Sequence, residues 1–102
     1  MLVRVLIERH IKEGHESEAA DKILEMRKQA TTFPGYVSGE TLGDTADPST
    51  VIIVSTWHSR EEWHKWDASP EHQAAAKSLE PLLEGPASIR TFVNPWDALL
   101  DS

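Results

Sequence analysis

Cysteine is absent from all 102 residues. That excludes disulfides, iron–sulfur clusters, zinc ribbons, thiolate-ligated haem and cysteine nucleophiles in one step. Cationic clusters are missing as well. With 17 acidic residues against 10 basic ones and a formal charge of -7, most of the surface would repel a polyanionic backbone, so no nucleic-acid partner is expected. No window approaches the roughly 18 continuous apolar residues of a membrane span. The apolar opening MLVRVLIERH is interrupted by Arg4 and Glu8, and no small-residue cleavage site follows, so a signal peptide is not expected and a cytoplasmic location is. Repeats and glycine-rich phosphate loops are lacking too. A chain of this length is expected to be one domain, residues 1–102, burying roughly two-thirds of its unfolded surface.

What is present has a clear order. Residues 2 to 9 alternate, Val3, Val5 and Ile7 on one face and Leu2, Arg4, Leu6 and Glu8 on the other, as a strand requires. Residues 15 to 31 place Ala19, Ala20, Ile23, Leu24, Arg27 and Ala30 at helical spacing, with acids early and bases late. Phe33-Pro34-Gly35 ends that helix. A short strand follows over 36 to 42, then a polar loop from Gly43 to Ser49, then the β-branched strand Thr50 to His58. Its continuous apolar run Val51-Ile52-Ile53-Val54 suggests a central strand. Ser59-Arg60-Glu61-Glu62 is a capping box that starts a second helix, and Ser69-Pro70-Glu71 is a further start signal, so the helix is expected to kink or restart there before running to about Leu83. Glu84-Gly85-Pro86 stops it, Ala87 to Asn94 alternates as a fourth strand, and residues 94–102 are left as a C-terminal tail.

The order β-α-β-β-α-β is that of an α+β, ferredoxin-like fold: a four-stranded antiparallel sheet with its helices on one face. The other face is then bare although two strands carry apolar residues on both sides, which predicts cover from a second copy of the chain.

The stretch WHSREEWHKW, residues 57 to 66, concentrates three of the four tryptophans and two of the five histidines. A metal site does not follow. His58, His64 and His72 are six and eight residues apart, whereas two ligands on one helix face need a spacing of about three or four. The histidines are therefore expected to be mainly polar surface groups, and no metal ligand is assigned. Trp63 and Trp66 share a helix face. Trp57 and Trp63 are expected in the core and Trp66 beside a cavity, where an indole can stack on a flat ligand. No serine has a nucleophile-elbow context.

Three segments carry a family resemblance: Lys12-Glu13-Gly14, the turn Phe33-Pro34-Gly35-Tyr36, and the run from Val54 through Trp63 to Trp66, Ser69 and Pro70. With them the chain resembles the antibiotic biosynthesis monooxygenase family of dimeric α+β barrels, which includes quinol monooxygenases and a haem-degrading branch. The resemblance spans Val3 to Val93. It implies a homodimer whose sheets face each other, with a ligand pocket between each sheet and its own helices. It further implies a cofactor-independent monooxygenase acting on a flat aromatic or quinol molecule, which reduces oxygen itself once deprotonated. Trp66 falls on a recurrent wall of that pocket. A base or hydrogen-bond donor is needed, and His64, His72 and Tyr36 are the candidates. The asparagine and histidine of the haem-degrading branch fall on Ile7 and Ala76, so haem degradation is not expected and these two are assigned only to the ligand-binding wall. A non-catalytic dimer that binds a small hydrophobic ligand is the alternative.

Overall fold

Strand β1, Val3–His10, buries every second side chain, because one of its faces looks at helices and the other does not. The structure, a computed structural model, describes residues 1–100, with side chains described for residues 1–97. Helix α1 follows at Glu16–Ala30, then β2 at Tyr36–Gly43, β3 at Thr50–Trp57, α2 at Arg60–Asp67, α3 at Pro70–Leu79, a 3-10 turn at Glu80–Leu82, β4 at Ser88–Val93 and a short helix α4 at Pro95–Leu100. The strands form one sheet in the order β2-β3-β1-β4, all neighbours antiparallel. This is the ferredoxin-like arrangement expected from the sequence, with β1 and β3 central.

The register assigns the faces. Val3 pairs with Trp57, Val5 with Ser55, Ile7 with Ile53 and Arg9 with Val51, so these side chains share the helix-facing side. Arg4, Leu6, Glu8 and their partners Thr56, Val54 and Ile52 lie on the open side, joined there by Leu42 and Phe92. Leu42 and Phe92 remain 44% and 41% exposed. The core on the helix side is built from Val3, Val5, Ile7, Ile11, Ala19, Ile23, Met26, Trp57, Trp63, Trp66 and Leu79.

Three local expectations need correction. The buried stripe of α1 is Ala19, Ile23, Met26 and Ala30. Ala20 and Leu24 are exposed, since the helix is rolled so that Met26 meets the sheet side chain Arg9. The tail contains α4, where the Asn94 carboxamide oxygen accepts from the amide of Trp96 at 2.9 Å and Trp96 stands 70% exposed. In the Ser59 box the hydroxyl accepts from the Glu62 amide at 3.1 Å, but the returning Glu62 carboxylate takes the hydroxyl proton, not the Ser59 amide. Among the described residues no helix is long and apolar enough to cross a membrane.

Trp57 is almost wholly buried. Its indole N–H donates to the Ser55 hydroxyl at 3.1 Å, and its ring meets Tyr36 edge-on at 5.4 Å. Trp57→Ala therefore leaves both a void and an unpaired hydroxyl, and is expected to lower stability by about 3–5 kcal/mol, measured as the shift in urea unfolding free energy followed by circular dichroism.

Candidate functional site

The site begins with a proline. Pro70 has no amide hydrogen, so the carbonyl of Trp66 loses the partner it would have in an unbroken helix. Ser69 supplies the replacement: its hydroxyl donates to the Trp66 carbonyl at 2.7 Å while accepting from the His72 amide at 3.1 Å, which caps α3. The break also frees the Asp67 carbonyl. The Gln73 side-chain amide donates to it at 2.7 Å, and His72 Nδ1 lies 3.0 Å away. A carbonyl only accepts, so the proton of the neutral imidazole sits on Nδ1 and Nε2 keeps its lone pair. No described residue hydrogen-bonds that nitrogen.

His72 is 6% exposed, contrary to the expectation that the histidines are mainly surface groups. Burial pushes its imidazole below the ordinary value. The Asp67 carboxylate, 3.7 Å from Nδ1, and the Asp67 carbonyl oppose that shift, and the charge of Arg9 adds to it. The ring meets Trp66 edge-on at 5.0 Å, and Trp66 in turn meets Phe33 edge-on at 4.8 Å.

Two adjoining spaces meet at His72 and Arg9, both of which line each of them. The inner recess, about 40 Å³, lies between sheet and helices with Ile7, Met26, Tyr36, Ser55, Trp63 and Trp66 on its walls. It has room for about three waters, or for a molecule as small as dioxygen. The outer chamber, about 400 Å³, lies between β4, α3 and the turn after it, with Ala76, Leu79, Leu83, Pro86 and Ile89 among its walls. That volume lies in the range of small-molecule sites. Gly39 on the recess wall lets the Tyr36 hydroxyl come close to the strand, because a β-carbon there would sit 2.6 Å from it. Arg27, also on the recess wall, donates from its guanidinium to the Gly39 carbonyl.

The structure thus brings Ile7, Tyr36, Trp66 and His72 to the recess and Ala76 to the outer chamber. His64 stands apart, exposed on the solvent side of α2 and accepting from Arg60 Nε at 3.3 Å. Trp63 shares the recess wall with Trp66 as well as packing the core. Ile7 and Ala76 are hydrocarbon, and neither can ligate iron. Among the described residues no three histidine or carboxylate side chains are grouped for a metal ion.

Sequence reasoning missed Arg9. It is 4% exposed, its Nη2 meets only the sulfur of Met26 at 3.8 Å, and its Nη1 is buried with no hydrogen-bond partner. Burial lowers its pKa from the ordinary value. The signal was in the alternation: Val3, Val5, Ile7 and Arg9 have the same parity, so an arginine had to point inward.

The chain matches the profile of the family described as antibiotic biosynthesis monooxygenase over residues 2–78. It is 31% identical to protein SchA of Streptomyces halstedii over 89% of this chain and 24% of that protein. It is 25% identical to the 42.8 kDa protein in the whiE locus of Streptomyces coelicolor over 89% of this chain and 23% of that one. The chain thus spans about a quarter of the length of the curated relatives it matches. Among solved structures it is similar to SnoaB, a cofactor-independent oxygenase from Streptomyces nogalater, with a TM-score of 0.82 at 15% identity, covering 91% of this chain and 92% of that one. At that identity the likeness is one of fold.

The depressed pKa of His72 has a signed consequence. Above the ordinary imidazole value both folded and unfolded chains are neutral at this residue. As the pH falls through that value the unfolded chain binds a proton that the folded chain resists, so stability is lost toward acid. From about pH 7.5 to about pH 5 the urea midpoint of the parent is expected to fall more steeply than that of His72→Gln; parallel profiles would contradict the assignment.

Proposed function

This chain belongs to the antibiotic biosynthesis monooxygenase family, and on that footing we propose that it is a cofactor-independent monooxygenase acting on a flat, electron-rich aromatic or quinol. The observation that carries the reading is the His72 imidazole, buried and held neutral with its Nδ1 proton on the Asp67 carbonyl, at the junction of a chamber large enough for an aromatic ligand and a recess large enough for dioxygen. Nε2 takes the phenolic proton. The phenolate then gives an electron to oxygen, the two radicals combine at a ring carbon, and the peroxide loses water as the ring C–H becomes a carbonyl. A phenol and one O2 give a quinone and one water, so the substrate supplies all four electrons. Tyr36 is assigned a hydrogen-bonding role and Trp66 the wall against which the reacting ring lies. SnoaB, described as a cofactor-independent oxygenase, supports the reading from outside this chain.

The working unit in this reading is a homodimer. The open sheet face presents Leu6, Ile52, Val54, Leu42 and Phe92, interspersed with Arg4, Glu8, Glu40 and Arg90, charges of both signs that a second copy of the same face can pair. An obligate interface of this kind typically buries about 2,000 Å² or more. Sedimentation at low micromolar concentration is expected to give twice the chain mass; a stable folded monomer would rule the dimer out.

Oxygen consumption with a panel of hydroquinones, naphthoquinols and polyhydroxylated fused-ring phenols tests the chemistry. The parent is expected to consume oxygen with at least one of them, and His72→Gln to lower the rate by about 100-fold or more, the usual scale for a lost general base. Tight binding of panel members without oxygen uptake would leave the non-catalytic ligand-binding dimer as the correct alternative. Loss of activity in His64→Gln but not in His72→Gln would move the base to the other histidine.

A further inference from the structure

Arg9 has no role in the chemistry just described, yet it is a buried charge with no ion-pair partner among the described residues. A guanidinium cannot shed its proton at any ordinary pH, so when it is buried it must find compensation elsewhere. Here none is supplied: no carboxylate of the described residues lies within ion-pair distance, one terminal nitrogen touches only a thioether sulfur, and the other has no partner. Buried polar groups in native proteins are nearly always satisfied, and one that is not calls for an explanation. Arg9 lines both spaces of the site, so a ligand held in either lies beside it.

We propose that Arg9 is the anchor for a carboxylate on the ligand, making this a site for flat aromatic monoacids. The inference rests on the substrate pocket assigned above and names the class of molecule that fills it. The apolar walls of the outer chamber, Leu79, Leu83, Pro86, Ala87 and Ile89, accept a ring system, and the fork of N–H donors on Arg9 matches the two oxygens of a carboxylate. A phenolate, with one oxygen, leaves the fork half used and competes for His72 instead. The exposed Glu80 on the chamber wall and the formal charge of -7 set an upper limit on the ligand's charge: one buried cation can hold a monoanion, whereas phosphate esters and di-acids carry excess charge into an acidic surround.

Ligands that cannot be oxidised separate this inference from turnover. Titration calorimetry with 2-naphthoate, methyl 2-naphthoate and 2-naphthol is expected to show the acid bound about tenfold or more tightly than the ester and the naphthol, the scale of one charge-assisted contact. Arg9→Met is expected to erase the preference while keeping or raising the melting temperature, because a hydrophobic side chain of similar length replaces an unpaired buried charge. Arg9→Lys, which keeps the charge and loses the fork, is expected to retain part of it. Equal binding of acid and ester by the parent, or no measurable binding of the acid, overturns the proposal, as does a preference that survives in Arg9→Met. Should Arg9→Met fail to fold, the acid–ester comparison in the parent and the loss in Arg9→Lys decide. Acid selectivity that depends on Arg9 without oxygen uptake by any quinol would sink the monooxygenase reading and leave this one standing. Oxygen uptake with neutral quinols and no acid selectivity would do the reverse.

Discussion

One missing hydrogen, the amide proton that Pro70 does not have, organises the helical half of the site. A continuous helix from Arg60 to Leu79 would tie each carbonyl to the amide four residues on and leave no backbone group for a side chain to use. Breaking it at Ser69–Pro70 takes the i+4 amide partner from two carbonyls, those of Trp66 and Asp67, although the Ser69 amide still reaches the first at 3.0 Å. Ser69 takes the first and caps the new helix with the same hydroxyl. His72 and Gln73 share the second. The imidazole is thereby oriented by the backbone, which cannot rotate, and its tautomer is fixed by a group that has no proton to give. The same break turns α3 away from α2, so that α3 lies along α1, and the outer chamber lies between α3 and β4.

The sheet contributes the opposing charge logic. Strand β1 delivers three aliphatic side chains and then an arginine to one face, and no carboxylate comes from α1, α3 or β3 to meet it. Removing a cation from water without a partner is unfavourable by several kcal/mol in ordinary protein interiors, roughly the scale of a whole domain's margin of stability. The same face also carries large apolar burial: Trp57, Trp63 and Trp66 sit on or beside it and bury about 150–250 Å² each. The aromatic-rich stretch is thus a stabilising reserve as well as a wall.

Element order, sheet topology, the bare sheet face and both capping signals were legible in the chain, because each rests on a local rule: alternation, turn chemistry, or a serine followed by glutamate or proline. The site was only partly legible. His72 was one of three equivalent candidates, since spacing between histidines says nothing about a carbonyl released five residues earlier by a proline. His64, in the most conspicuous stretch of the sequence, turned out to face solvent, because Trp63 and Trp66 claim the buried face of that helix. Leu24 was expected inside and Met26 was not considered, a roll of the helix that only the sheet's side chains decide. Arg9 escaped notice for a different reason. Its parity was readable, but a charge at the end of a strand is usually assigned to the surface, and the structure extends β1 through His10 and buries it.

Arg9 and His72 are coupled through their charges. Burial is the main cause of the depressed imidazole pKa, and the field of the Arg9 charge adds to it. An anion seated on Arg9 cancels part of that field at short range in a low-dielectric surround, where unit charges interact far more strongly than in water. In the proposed chemistry it would thereby raise the proton affinity of His72. The Asp67 carboxylate, 3.7 Å from Nδ1, already acts in that direction. On this argument the unpaired arginine would let the proton affinity of the His72 imidazole respond to occupancy, beside the larger effect of burial.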